Sequence, residues 1–385
     1  MEKRIRIAFI SAGDPGDKTY SSGVYHYMGK ALENNVGEVD YLGPVSAPIV
    51  HAGKAIRAFT RRLLHRNYDY LHTLCLARSY AQAFNKKLAA GEYDIIFAPE
   101  ASTEIALLET DIPVVYESDA TFALMVEYYD FYRDLMRTSL RQGHWIERAA
   151  ISRAAACIFP AHWTAASAIE DYGADPLRVF VVPFGANIDE DPPYADAVRA
   201  LRPGPIRLLL VGVDWERKGG PIAFETLLEL ERMGVAASLT VCGCRPPENL
   251  RHPRLRVIPY LDKNVKEHAR ELARLYMDAD FLLLPSRAEA FAFVIPEASA
   301  FGLPVLARAT GGLPEAVQDG VNGYVLAPEA RGREYASLIR AVITDEDEYL
   351  RLRASSRRHY EERLNWNAWA KDVGSILHSC ISRRA

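Results

Sequence analysis

No stretch of the 385 residues carries the roughly twenty consecutive apolar side chains that a membrane-crossing helix needs, so none is expected. Cysteine is scarce. The five present are scattered and odd in number, which fits a reducing cytoplasm better than a disulfide framework. Cys242 and Cys244 flank one glycine, but no second cluster completes a zinc site. Charge of one sign is not in excess either: 46 Lys and Arg stand against 50 Asp and Glu, a net −4 that argues against a nucleic-acid partner. Met1-Glu2-Lys3-Arg4 runs straight into apolar residues 5–10, so no secretory leader is expected. The first strand pattern is not followed by Gly-x-Gly-x-x-Gly, which leaves a nicotinamide-dependent oxidoreductase the least favoured class. What is present is globular: 49% hydrophobic and 25% charged, over a length too great for one core.

Two domains are therefore expected, and apolar runs alternate with helical periods in both halves. Residues 5–10 read as a strand. A glycine- and serine-rich loop follows to Gly23, then a helix over 24–32. Residues 54–66 form a basic helix in which Ile56, Phe59, Leu63 and Leu64 make an apolar stripe beside Arg57, Arg61, Arg62 and Arg66. Packing of that stripe into the core is the simpler expectation; a helix lying on a membrane surface has the same pattern. Residues 68–88 are expected to continue helically, with strands at 93–98, 112–116, 154–159 and 178–183. The segment 122–145 is aromatic-rich and fits a core stripe more readily than a sugar platform. Residues 189–205, proline-rich and without apolar periodicity, read as a linker between domains 1–188 and 206–364. The second half restarts with strands at 206–211, 238–242, 255–258 and 281–284. The fold class implied is α/β, two doubly wound domains facing across a cleft. Residues 365–385 carry Trp366 and Trp369 as packing anchors.

The most informative stretch is residues 286–307. It begins after the apolar strand 281–284 and holds Glu289 and Glu297 eight positions apart, with Pro296 between them. Proline fits a first helical turn, and Gly302 fits a left-handed cap. Strand, loop and helix follow, with Glu289 in the loop and Glu297 on the first turn. The free N–H groups around Phe293 to Ile295 would face an anion at the positive end of the helix dipole. Glu297 would accept from ribose hydroxyls and Glu289 from a sugar. The spacing alone serves equally for a dipole-complementing Glu297 and a solvated Glu289.

This stretch, with Gly311-Gly312-Leu313-Pro314-Glu315 and Asp319-Gly320-Val321-Asn322-Gly323, resembles the E-x7-E signature of family-4 retaining glycosyltransferases, and the resemblance extends over most of the chain. It implies the GT-B arrangement of two Rossmann-like domains, the last helix crossing back to the first. Glu289, Lys218 and Asp119 are then the catalytic candidates. Glu297, Arg217, Lys218, Gly23, Tyr260, Leu261 and the run Phe291, Ala292, Phe293, Val294 are those for donor binding. The sequence departs from the family in four places. Val213 stands where the family has an arginine on the donor diphosphate, leaving Arg217 beside Lys218 to substitute. Ser118 stands where many members have histidine before Asp119. Ala290 and Ala292 replace two glycines.

The activity implied is transfer of a hexosyl unit from a nucleotide-diphosphate sugar, a UDP-sugar ahead of a GDP-sugar, to a saccharide or lipid-linked acceptor in glycan synthesis. Retention through front-face attack is implied. No metal and no other cofactor is expected, because the Asp-x-Asp candidates Asp189/Asp191 and Asp345/Asp347 fall in the linker and on a late acidic helix. The setting is cytoplasmic, with peripheral contact at the inner face of the membrane through residues 54–66. A nucleotide-sugar epimerase, a sugar phosphorylase or a non-catalytic sugar-nucleotide-binding subunit are the alternatives.

Overall fold

The computed structural model describes residues 4–383; the expectations resting on Met1 to Lys3 and on the last two residues of the segment 365–385 lie outside the described residues. The chain divides into two compact units, 1–183 with 369–385, and 184–368.

The N-terminal unit holds a six-stranded parallel sheet of β1 (Ile5–Phe9), β2 (Gly37–Tyr41), β3 (Ile95–Pro99), β4 (Val114–Glu117), β5 (Ala156–Phe159) and β6 (Val179–Val181), in the order β2-β1-β3-β4-β5-β6. The second unit repeats the plan with β7 (Ile206–Val211), β8 (Ala237–Cys242), β9 (Leu255–Ile258), β10 (Phe281–Leu284), β11 (Val305–Arg308) and β12 (Gly323–Leu326), ordered β12-β11-β10-β7-β8-β9. The central strands are apolar on both faces because helices cover both sides, as parallel sheets require.

Three expectations are corrected. Residues 68–88 are not continuously helical: the helix is Leu74–Leu88, capped by Thr73, whose hydroxyl accepts from the Leu76 amide. Ahead of it, the buried Asp69 carboxylate takes the amides of Leu71 and His72, which turns the chain instead of winding it. The aromatic segment 122–145 is no single stripe. It breaks into Phe122–Met125, a 3-10 turn Asp130–Tyr132 and a long helix Arg137–Arg153; Phe122 is fully buried while Trp145 is 45% exposed. The basic helix, Ile49–Leu64, does not pack its stripe into the core. It buries Gly53 and Thr60, whereas Phe59 is 61% and Leu63 59% exposed.

Strand β2, Gly-Glu-Val-Asp-Tyr, escapes sequence reading because it is a half-buried edge strand with few apolar side chains. The terminal helix is Trp366–Ser382, started by the Asn365 side chain accepting from the amides of Asn367 and Ala368. Within the N-terminal unit Trp369 is buried against Phe97, and its indole N–H donates to Glu117 at 3.0 Å.

Candidate functional site

In the C-terminal sheet β7 and β10 are neighbours, and the chain runs outward from them in opposite directions. The crevice beyond their carboxyl ends is the switch point of a doubly wound sheet, where ligands bind. The two loops that leave these strands carry the sequence-predicted cluster. After β7, the turn 212–219 brings Lys218 back over Gly212, where any Cβ would lie 2.6 Å from the lysine stem. Gly219 then turns left-handed (φ 75°) beneath the Pro285 carbonyl, so the loops touch at a point only glycine allows. The Arg287 amide donates to the Arg217 carbonyl at 2.7 Å, a second tie.

Across that seam Glu289 accepts from Lys218 Nζ at 2.6 Å and from Arg217 Nη1 at 3.0 Å. Glu289 and Lys218 are buried. Arg217 Nη1 also donates to the Ala288 carbonyl, which fixes its guanidinium on the loop. Two cations thus converge on one carboxylate. Val213, by contrast, is 64% exposed and offers nothing to a ligand but backbone.

Glu297 lies on the helix Val294–Ala300 as expected, but it is buried and already engaged: Tyr276 donates to it at 2.7 Å and Lys263 Nζ stands 2.5 Å away. Lys263 also donates to the Asn187 carbonyl at 3.1 Å. Neither Lys263 nor Tyr276 was found in the sequence. Lys263 follows the flagged Tyr260-Leu261 pair by two positions, with no motif to single it out. Tyr260 is exposed and Leu261 half-buried. Of the three amides expected to face an anion, that of Ile295 is bonded to the Ala292 carbonyl at 2.9 Å, which leaves those of Phe293 and Val294. Ala290 and Ala292 are not among the residues with left-handed backbone, so the two alanines are accommodated without strain. Phe291 and Phe293 pack with Phe184, the latter ring stacked on it at 5.4 Å, and stiffen the loop.

The N-terminal sheet has its own switch point, between β1 and β3. Gly23 caps the helix Val24–Asn35 with φ 85°, and a Cβ there would meet the Lys18 carbonyl at 2.7 Å. Just before it, Ser21 donates to Glu100, the residue that follows β3, and Tyr25 adds a hydrogen bond at 3.1 Å. Asp119 follows β4 and lines a cavity of about 290 Å³ together with Glu100, Glu104, Glu147 and His72. The cap of the next helix is Thr121, not Asp119, whose carbonyl accepts from Thr164 at 2.7 Å. Ser118, at the family's histidine position, turns its hydroxyl onto the Ala120 carbonyl at 2.8 Å. Burial pushes the carboxyls of Glu104 and Glu147 up to about 7 and raises that of Glu100. Sequence reading missed these three glutamates. A polar residue directly after the strand beside the first, as Glu100 is, was the available signal.

Of the aspartates weighed for metal binding, Asp191 pairs with Arg357 at 2.6 Å and Asp345 caps the helix Glu346–Glu362. All five cysteines are free thiols. No helix among the described residues is long and apolar enough to cross a membrane.

The chain matches two family models: one described as "Glycosyl transferases group 1", over residues 200–359, and one as "Glycosyltransferase Family 4", over residues 21–190. A D-inositol 3-phosphate glycosyltransferase of Geodermatophilus obscurus is 33% identical over 225 residues, 54% of this chain and 48% of that protein. The chain thus spans about half the length of the curated relatives it matches. Among solved structures, sucrose-phosphate synthase from Thermosynechococcus elongatus superposes with a TM-score of 0.70 at 20% identity, covering 99% of this chain and 100% of that one. HepE from Anabaena, in complex with UDP and glucose, gives 0.64 at 17% identity, covering 98% and 100%. These structures share the GT-B fold of the chain.

Proposed function

Because the chain belongs to the group 1 and family 4 glycosyltransferases, we propose that it moves a hexosyl unit from a nucleotide-diphosphate sugar to a saccharide or lipid-linked acceptor, with retention of configuration. The observation that carries this is the convergence of Lys218 and Arg217 on Glu289 at the switch point of the C-terminal sheet. Departure of a diphosphate from an oxocarbenium-like sugar needs fixed positive charge where negative charge develops. Lys218 and Arg217 supply it, with the amides of Phe293 and Val294 at the helix start. Glu289 keeps both cations aligned in the absence of donor, and with a diphosphate bound its carboxylate is released to accept from sugar hydroxyls. Glu297 keeps lone pairs for the ribose beyond those taken by Lys263 and Tyr276.

No metal is assigned a role, since Asp191 and Asp345 have partners of their own and the leaving charge is met by side chains. The donor base is uracil in this reading, supported by the UDP bound to the structural neighbour HepE. The acceptor binds in the N-terminal unit, at Asp119. The exposed stripe Ile56, Phe59, Leu63 and Leu64 beside Arg61, Arg62 and Arg66 fits an anionic membrane surface, which supports a peripheral setting at the inner face of the membrane in this reading.

The test is turnover of UDP-hexoses by Lys218→Ala. A loss of tenfold or more, about 1.4 kcal/mol of barrier, is expected. A smaller loss removes Lys218 from the phosphate clamp. Unchanged turnover after chelation of divalent ions is expected as well, and its abolition would overturn the metal-free assignment.

A further inference from the structure

Parallel sheets are covered by helices on both faces as a rule, and the C-terminal sheet departs from this at one edge. Among the described residues the connection 243–254, between β8 and β9, holds no helix. The strand register shows what lies on the face left open. Leu208, Leu239 and Leu255 pack into the core beside the helix Gly220–Arg232. Arg207 paired with Ser238, and Thr240 paired with Arg256, therefore share the other face. A cavity of about 560 Å³ lies there, with Leu275 and Asp278 of the helix Lys266–Asp278 as one wall. Four arginines line it: Arg202 before β7, Arg207 within β7, Arg254 just ahead of β9 and Arg256 within β9. Asp278 is the one acid among the described lining residues. The hydrogen-bonding capacity of these arginines is partly unspent. Arg254 and Arg256 stand 3.8 and 3.5 Å from Glu231 and Glu271, beyond ordinary hydrogen-bond length. Arg207 shares the buried Asp280 with Arg199. Arg202 spends both terminal nitrogens on Asp278, while its Nε is buried and has no hydrogen-bond partner among the described residues. Buried donors are satisfied as a rule, so this one points to an acceptor that a ligand supplies.

We propose that this groove binds a phosphate-bearing small molecule, a sugar phosphate or a nucleotide, at a site separate from the donor crevice. It lies toward the amino ends of β7, β8 and β9, whereas the loops of Lys218 and Glu289 leave the carboxyl ends of β7 and β10. The planar fork of a guanidinium matches phosphate oxygens in pairs. A phosphate between Arg254 and Arg256 replaces two long ion pairs by short charge-assisted hydrogen bonds. Below the arginines, Leu209 and Leu275 with the hydroxyls of Ser238 and Thr240 make a mixed floor for a sugar or a base. The volume falls within the range of small-molecule sites. The proposal rests on this groove alone and not on the glycosyltransferase reading.

Calorimetric titration of the full chain carrying Lys218→Ala, which disables the donor crevice, tests this with glucose 6-phosphate, UDP and glucose. Saturable binding of at least one phosphate compound, and none of glucose, is expected. Arg254→Gln with Arg256→Gln, both at exposed side chains whose loss the fold tolerates, is expected to weaken that binding at least about tenfold. Arg61→Gln with Arg62→Gln, an equal loss of charge in the other unit, is expected to leave it unchanged. Tighter binding of glucose 6-phosphate selects a sugar phosphate and tighter binding of UDP a nucleotide, and either supports the proposal. No binding of either compound, undiminished binding after the Arg254 and Arg256 changes, or an equal loss after those at Arg61 and Arg62 overturns it. So does self-association, or capture of a poly-glutamate peptide, that the same two changes abolish where no phosphate compound binds. UDP titrated into the chain with Lys218 intact and both Arg254→Gln and Arg256→Gln separates the two claims. Binding there leaves the donor reading standing whatever the groove does, and its absence ends that reading without touching the glucose 6-phosphate result.

Discussion

The two sheets end in crevices built the same way and charged in opposite senses. At β7 and β10, one carboxylate, Glu289, is met by two cations. At β1 and β3, Glu100 is met by neutral hydroxyls of Ser21 and Tyr25, with Glu104 and Glu147 close enough to share its cavity. Strand topology selects where a ligand binds, and the loop residues select which ligand. A doubly wound sheet gives the place; Lys218 or Glu104 gives the sign. The pairing costs differ as well. Cations and carboxylate in the second unit neutralise one another before a ligand arrives, while the glutamates of the first unit are relieved by taking up protons.

This contrast can be broken most sharply at Glu289. Glu289→Ala unpairs Lys218 and Arg217 together, and a loss of about 10²–10³-fold in transfer rate is expected from initial-rate assays. A rate within a few-fold of the parent would reduce Glu289 to a structural partner. Next in size is Lys263→Ala, which strands Glu297 in a buried position; a loss of about 3 kcal/mol in urea unfolding is expected. The double change Lys263→Met with Glu297→Gln, leaving no charge behind, is expected to recover most of it.

The N-terminal crevice gives the third expectation through its pH dependence. Burial raises Glu104 from the usual 4.5 to about 7, so the folded chain binds a proton that the unfolded chain has released between those values. Where the folded state binds more protons, stability falls as pH rises. The parent is therefore expected to lose stability from pH 4.5 to 7 relative to Glu104→Gln, by up to about 3 kcal/mol, in urea titrations across that range. A parallel pair of curves would contradict the buried, proton-holding state of Glu104. The smallest effect is expected on the outside of the same unit: Phe59→Ser is expected to weaken sedimentation with phosphatidylglycerol vesicles by about tenfold and leave phosphatidylcholine binding negligible. Equal binding to both vesicle types would remove the electrostatic part of that surface.

Sequence patterns carried the sheets well where strands are apolar on both faces. Phe281–Leu284 and Ile206–Val211 fall where the apolar runs put them. They failed at Gly37–Tyr41, an edge strand whose alternating polar residues resemble a loop, and at residues 68–73, where one buried aspartate overrides a helical pattern. Glu289, Lys218 and Arg217 were legible because a family motif and two glycines constrain their loops. Apart from Asp119, the N-terminal carboxylates were not, since Glu104 and Glu147 are 43 positions apart, with no local spacing to unite them. Only the fold brings them to one cavity. The exposed face of Ile49–Leu64 was misjudged for a related reason: amphipathic periodicity states that a helix has an apolar side, not what covers it.

The central assignment, a nucleotide diphosphate received by Lys218 and Arg217 beside Glu289, is tested most directly by titrating UDP into the parent chain and into Lys218→Ala. Saturable binding by the parent, weakened at least about tenfold in the variant and further by added salt, is the expected result. Binding of equal strength in both, or none in the parent, would contradict it.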